Sequence, residues 1–188
     1  MLDAALGVFR SKGFERTSIR DLETATGLHN GSLYKAYDSK AGLFDAVLAA
    51  YNERVVQGRI EKHLAAGADP IGGLTAFFAS TYEDRPTPDP GCLLTNSAID
   101  APALSNAARG AVAGGLETIE DAFMAAVCRA QSLGQVSTEL DPGVLAARLL
   151  ALYQGVLVLV RFGHPRKELS EITEAIPAIL GQTQEGRS

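Results

Sequence analysis

Asn30, Ser32, Tyr34 and Lys35 lie close together on a stretch, about Asn30 to Tyr37, too short to be a core helix. An amide bonds the edge of adenine, and an ammonium or a phenol reaches a phosphate or guanine, so this set suits contact with duplex DNA. Thr17 and Ser18 stand at the start of the preceding helix, where free N–H groups and the helix dipole favour a phosphate. Lys40 opens the next helix near the same surface. Each also has an ordinary reading: Tyr34 and Tyr37 suit half-buried packing, Tyr37 the more so, and Lys35 suits a solvated face. Cys92, at the start of another short helix, is a candidate redox or electrophile-reactive thiol, with a small buried hydrophobe as the plainer reading. Cys128 reads as inert. Paired carboxylates, a nucleophile elbow and a phosphate-cradling glycine loop are missing, so neither an enzyme nor a cofactor is expected. His29, His63 and His164 are scattered, and no metal site is indicated.

The elements that must position these residues read as helices. The first runs from about Leu2 to Lys12, with Leu2, Leu6 and Phe9 as its apolar stripe and Gly13 as its stop. Ser18-Ile-Arg-Asp21 is a helix-start signal, a hydroxyl and a carboxylate serving orphan N–H groups. That second helix ends at Gly27, which gives the tight turn its backbone freedom. Ile19, Leu22, Ala25, Leu28 and Leu33 supply an apolar seam, with Ala25 small enough for two helices to cross closely. Ser18 to Tyr37 is therefore a helix-turn-helix, a shape that places its second helix in a major groove. A fourth helix runs from Ser39 to about Leu64.

Beyond a break at residues 67–70 the spacing predicts a fifth helix over about Ile71–Glu83, a proline-rich loop over 84–91 and a short sixth helix over about Cys92–Asp100. Apolar residues from Leu104 to Leu133 recur near every 3.6 positions, a long seventh helix. The eighth, about Pro142–Phe162, is apolar nearly all round. The ninth, about Lys167–Leu180, contains Pro177, which should kink it.

Composition narrows the classes further. The chain has 188 residues, 17 Lys+Arg against 22 Asp+Glu and a formal net charge of −5. A globally basic coat for nucleic acid is excluded, so DNA contact must come from a local patch. The whole negative surplus lies after residue 51. Two cysteines in a chain this size fit a reducing compartment. The start of the chain lacks a signal-peptide pattern, and the apolar run Leu149–Val160 is shorter than a membrane span. A cytoplasmic protein without membrane contact is expected.

Residues 2–51 resemble the DNA-binding domain of the tetracycline-repressor family. The phrases that carry the resemblance are AALGVFRSKGFERTSIRDL, ATGLHNGSLYKAYDSKAGLF and AVLAAY. It weakens after residue 60, although GCLLTNSAID and LLALYQGVLVLVRFG still look like one branch. The resemblance implies an all-α protein of about nine helices: a three-helix DNA-binding domain over 1–46, then a ligand-binding and dimerisation bundle over 47–188. It further implies a homodimeric, ligand-responsive regulator, a repressor more than an activator, that binds palindromic double-stranded operator DNA and is released by a small-molecule effector. DNA contact falls on Thr17, Ser18, His29, Asn30, Gly31, Ser32, Tyr34, Lys35, Tyr37 and Lys40.

The family pattern is not followed everywhere. His29 replaces a capping Ser, Asn30 a common Lys, and Ala36 a frequent His. Fewer cationic contacts imply a gentler salt dependence. The chain starts directly within its first helix, where relatives usually have a basic lead-in. Effector candidates are Phe78, Tyr82, Asn96, Phe123, Val127, Tyr153 and Gln154, the polar ones because a polar group in an apolar bundle needs a partner. Dimer candidates are Leu145, Leu149, Leu152, Val156, Leu159, Ile172, Ile176 and Ile179. Two alternatives stand beside this reading: a thiol-sensing repressor working through Cys92, and a helical protein-interaction adaptor that would show no salt-sensitive binding to duplex DNA.

Overall fold

Start and stop residues set the helix boundaries in the computed structural model, which describes residues 1–65, 67–83 and 89–181. Helices α1 (Leu2–Lys12), α2 (Ile19–Thr26) and α3 (Asn30–Tyr37) are followed by α4 (Lys40–Tyr51), a π-helical segment Asn52–Gln57 and α5 (Gly58–His63), joined end to end in the chain. Next come α6 (Pro70–Ala79), α7 (Leu93–Ile99), a 3₁₀ turn Ala101–Ala103, α8 (Asn106–Ser132) and α9 (Pro142–Phe162). The last rod breaks at Ala175, just before Pro177, into α10 (Arg166–Glu174) and α11 (Ile176–Ile179). Counting the joined segments once gives nine rods and no strand among the described residues. Of the proline-rich loop expected over 84–91, residues 84–88 lie outside the described residues.

The packing forms two compact units. The first comprises Met1–Gly58 and Pro90–Leu116; the second comprises Arg59–Asp89 and Glu117–Ser188. In the first unit Ala5, Phe9, Leu22, Leu33, Leu43, Phe44, Val47 and Leu48 are buried together. The Phe44 ring lies 4.8 Å from Phe9 and 4.9 Å from Phe14, centroid to centroid. Residues 90–116 pack with the N-terminal helices. The amide of Asn96 donates to Arg10 O (3.1 Å) and Pro90 O (2.9 Å), and Arg10 Nε donates to Gly91 O (2.7 Å). Asn96 is thus a packing residue of the first unit, its donors spent on carbonyls, which corrects its assignment to the effector pocket. Cys92 is buried there, its Sγ accepting from Tyr51 OH at 3.3 Å. Cys128, read as the inert thiol, is the exposed one. Gly115 permits a close approach: a Cβ there would lie 2.5 Å from Asn52 Oδ1 and 2.7 Å from Leu94 Cδ1.

In the second unit Phe77, Phe78, Phe123 and Tyr153 pack ring against ring, with centroids 5.3–5.9 Å apart. Val127 is buried, Gln154 is half-buried, and Tyr82 OH shares a hydrogen bond with Thr173 Oγ1 at 2.7 Å. Helix α9 is long and apolar enough to cross a membrane by length and composition alone. Leu145, Leu149, Tyr153, Val156, Leu157 and Val160 nevertheless turn into the core of the unit.

That orientation divides the dimer candidates. Leu145, Leu149, Val156 and Ile176 are buried in the chain's own core; Leu152, Leu159 and Ile172 are half-buried, and Ile179 is exposed. The apolar residues that α9 leaves outside are Val144, Val158 and Phe162, exposed by 50%, 48% and 83%. A helix apolar on every side carries no phase in its sequence, so the buried and exposed stripes could not be told apart.

The turn between α3 and α4 stores strain. Asp38 is the one described non-glycine residue with positive φ (61°), in a three-residue turn closed by Ser39 N–H donating to Tyr37 O at 2.6 Å. Glycine adopts such a backbone without the Cβ penalty, so Asp38→Gly is expected to raise stability by about 0.5–1 kcal/mol. Urea unfolding checks this: the midpoint should rise at constant m, and a fall would show that the aspartate side chain outweighs the strain.

Candidate nucleic-acid interface

Helix α2 begins as its sequence dictates. The Ser18 side chain accepts from Asp21 N–H at 3.2 Å, and the Asp21 carboxylate accepts from Ser18 N–H at 2.9 Å, a reciprocal cap. The Ser18 hydroxyl also donates to that carboxylate (2.8 Å), and Lys12 Nζ donates to it at 2.5 Å. The Lys12 ammonium, then the Ser18 N–H and hydroxyl, hold the Asp21 carboxyl well below the ordinary carboxylate range. A depressed value favours the folded state at neutral pH; that contribution is lost only as pH falls below the usual carboxylate range. The α2 N-terminus therefore already has an anion, and neither expected phosphate donor is free. Thr17 is buried with its hydroxyl donating to Gly13 O at 2.6 Å. Ser18 is exposed, but its hydroxyl is spent on Asp21.

Gly27 closes α2 with a left-handed backbone (φ 70°, ψ 9°) and donates to Glu23 O, turning the chain into α3. Leu22 and Leu33 are buried in the seam, with Ile19 and Leu28 half-buried. Ala25 is exposed, so it is not the small residue at the crossing. On α3 only Leu33 is buried and only Tyr37 is half-buried. His29, Asn30, Gly31, Ser32, Tyr34, Lys35 and Ala36 are all exposed. The sequence-derived probe is thus presented outward, with Tyr37 on its packing side.

Lys40 departs from expectation. Its ammonium donates to Phe14 O (2.9 Å) and Thr17 O (3.0 Å) and sits 4.5 Å from the centre of the Phe14 ring. It fastens α4 to the turn between α1 and α2, satisfying carbonyls that would otherwise lack donors. Two of its three N–H donors are used in this fastening.

Two residues absent from the sequence reading belong to the surface. Arg20 is exposed on α2 and its guanidinium has no described partner; the phase set by Ile19 and Leu22 was the available signal. Glu23 is the second. Its Oε1 accepts from Asn30 N–H at 2.6 Å, serving the α3 N-terminus that His29 leaves uncapped. Nothing in a seven-residue spacing reveals such a bond before the turn is known.

Glu23 also places a negative charge beside the probe. Glu23→Gln keeps the acceptor oxygen and removes that charge. It should destabilise the fold by about 0.3–1 kcal/mol through the helix dipole. Operator affinity at low salt should rise roughly 3- to 10-fold, the gain shrinking as salt is added. Anisotropy titrations at two ionic strengths check this; unchanged affinity would mean that Glu23 does not face the phosphates.

Known proteins resemble this chain in sequence and in fold. Residues 1–47 match the family model described as bacterial regulatory proteins, tetR family, and residues 67–176 match the tetracyclin repressor-like, C-terminal domain. The chain is 24% identical over 188 residues to the HTH-type transcriptional repressor DhaR of Mycobacterium sp. (strain GP1), covering 98% of this chain and 92% of that one. It is 28% identical over 180 residues to the HTH-type transcriptional repressor ComR of Escherichia coli (strain K12), covering 91% and 82%. In fold it resembles a TetR-family regulator from Cytophaga hutchinsonii, with a TM-score of 0.84 at 22% identity over 98% of this chain and 94% of that one. It also resembles a cysteine mutant of the regulator CifR solved with 26-bp double-strand operator DNA, with a TM-score of 0.80 at 24% identity over 94% and 93%.

Proposed function

This chain belongs to the tetracycline-repressor family of bacterial transcriptional regulators, and from that premise we propose a homodimeric repressor that reads a palindromic operator through α3 and leaves it when a small molecule binds. The observation that carries the reading is the exposure of Asn30, Ser32, Tyr34 and Lys35 on a helix whose one buried residue is Leu33. Arg20 joins them as a phosphate contact. One such helix reads too few bases to be selective. A two-fold axis places a second copy about one helical turn of DNA away, roughly 34 Å. The protein acts in the cytoplasm, where its operator is.

The dimer seam in this proposal uses the outer stripe of α9, Val144, Val158 and Phe162, with half-buried Leu152 and Leu159 at its edge and Ile172 and Ile179 beside it. Large apolar side chains on one exposed stripe support an association surface. The double variant Val158→Glu, Phe162→Glu should weaken self-association by at least about 100-fold, since like charges meet themselves across a two-fold axis. Sedimentation velocity reads it; a dimer of unchanged strength would place the seam elsewhere.

The effector site is proposed in the second unit, around Phe78, Tyr82, Phe123, Val127, Tyr153 and Gln154. Binding there releases DNA by favouring a state whose reading helices are wrongly spaced. The experiment for the whole reading is competition anisotropy with the inverted repeat upstream of the gene. Specific duplex should bind far more tightly than a scrambled one, with log affinity falling linearly against log salt. Equal affinity for both duplexes would reject sequence reading, and no binding would favour the adaptor.

A further inference from the structure

Arg59 opens the second unit on α5 and is half-buried there. A guanidinium stays charged at any physiological pH, so a half-buried one needs acceptors and normally an anion. Every acceptor here is neutral. Nη1 donates to Tyr153 OH at 2.6 Å, and Nη2 donates to Phe77 O at 2.8 Å. The remaining edge is the informative one: Nε and Nη2 both donate to a single oxygen, Ser80 Oγ, at 3.1 and 2.7 Å. That edge is the two-pronged fork that fits the two oxygens of a carboxylate. The Ser80 hydroxyl, which also donates to Phe77 O at 2.7 Å, fills it with one uncharged oxygen. Among the described residues no carboxylate pairs with Arg59.

The surroundings add an apolar body to this cation. The guanidinium carbon lies 4.6 Å from the Phe77 ring centre and 5.6 Å from that of Tyr153, and both rings belong to the cluster with Phe78 and Phe123. His63, one turn along α5, is held toward its neutral form by burial and by the neighbouring Lys62 and Arg59 cations. The C-terminal end of α6 supplies only a partial countercharge through Phe77 O.

We infer that the Arg59 fork is the recognition point for the effector, and that the effector is an amphiphilic monocarboxylate whose apolar part lies against the aromatic cluster. In this proposal the two carboxylate oxygens replace Ser80 Oγ on Nε and Nη2. This rests on the proposed effector site and specifies its ligand class.

The test uses the full-length protein with octanoate and benzoate, each against its neutral amide, in thermal-shift and calorimetric titrations; operator anisotropy is read in the same samples. The carboxylates should raise the melting temperature and release operator, and the amides should do neither. Arg59→Gln should weaken carboxylate binding about 10- to 100-fold, Arg59→Lys should restore part of it, and Ser80→Ala should tighten it by removing the competing oxygen. If neither carboxylate binds, if the amides bind equally, or if Ser80→Ala weakens carboxylate binding, the fork is a helix-end cap and the inference is overturned. Should Arg59→Gln fail to fold, Ser80→Ala and the amide pairs still decide. Loss of operator binding by the unliganded protein would instead strike the DNA-reading proposal and leave the ligand titrations readable.

Discussion

Tyr34→Ala combined with Lys35→Ala should abolish operator binding and leave the protein folded. Both side chains point outward from α3, Tyr34 being 41% exposed, and the described hydrogen bonds and ion pairs use neither. Surface changes of this kind alter stability by only about 0.5 kcal/mol. Each lost base or phosphate contact costs about 1–3 kcal/mol and a two-fold dimer loses every contact twice, so affinity should fall by at least about 100-fold. Losing two lysines per dimer should also flatten the salt slope by about two. Circular dichroism and anisotropy on the same preparation separate the two effects. A folded double variant that still binds within a few-fold of the parent would remove α3 as the reader.

Phe44→Ala should act in the opposite way, destroying binding through the fold. Phe44 is fully buried and is the ring on which Phe9 and Phe14 converge, from α1 and from the turn after it. Removing a buried phenyl ring costs about 3–5 kcal/mol in transfer and cavity terms. That is a large part of the 5–15 kcal/mol by which domains are typically stable. The melting transition should fall sharply, with operator binding lost in step. A change under about 1 kcal/mol would contradict the core described for the first unit.

Local signals were legible wherever the physics is local. Ser18 and Asp21 announced a cap three residues apart, Gly27 announced a tight turn, and Leu33 announced a seam residue; the cap forms, Gly27 turns the chain with a left-handed backbone, and Leu33 is buried. Pro177 announced a break that falls two residues earlier. Partners distant in sequence were not legible. The Lys40 ammonium is spent on carbonyls 23 and 26 residues away, and Asn96 on one 86 residues away. No spacing rule covers such pairs, so a lysine at a helix start read as a phosphate contact and a buried amide as a ligand contact. Helix α9 failed for another reason: Val144 and Leu145 are equally apolar, and only packing shows that one is exposed and the other buried. The π-helical Asn52–Gln57 segment carries no composition signal, and the expected single fourth helix simply runs through it.

Guanine-N7 methylation protection on the upstream inverted repeat tests the central claim most directly, because it reads the major groove itself. Two protected patches related by a dyad and centred about 34 Å apart are expected, both vanishing with the Tyr34→Ala, Lys35→Ala variant. A single patch, or protection that survives in the variant, would contradict a symmetric pair of α3 helices as the DNA readers.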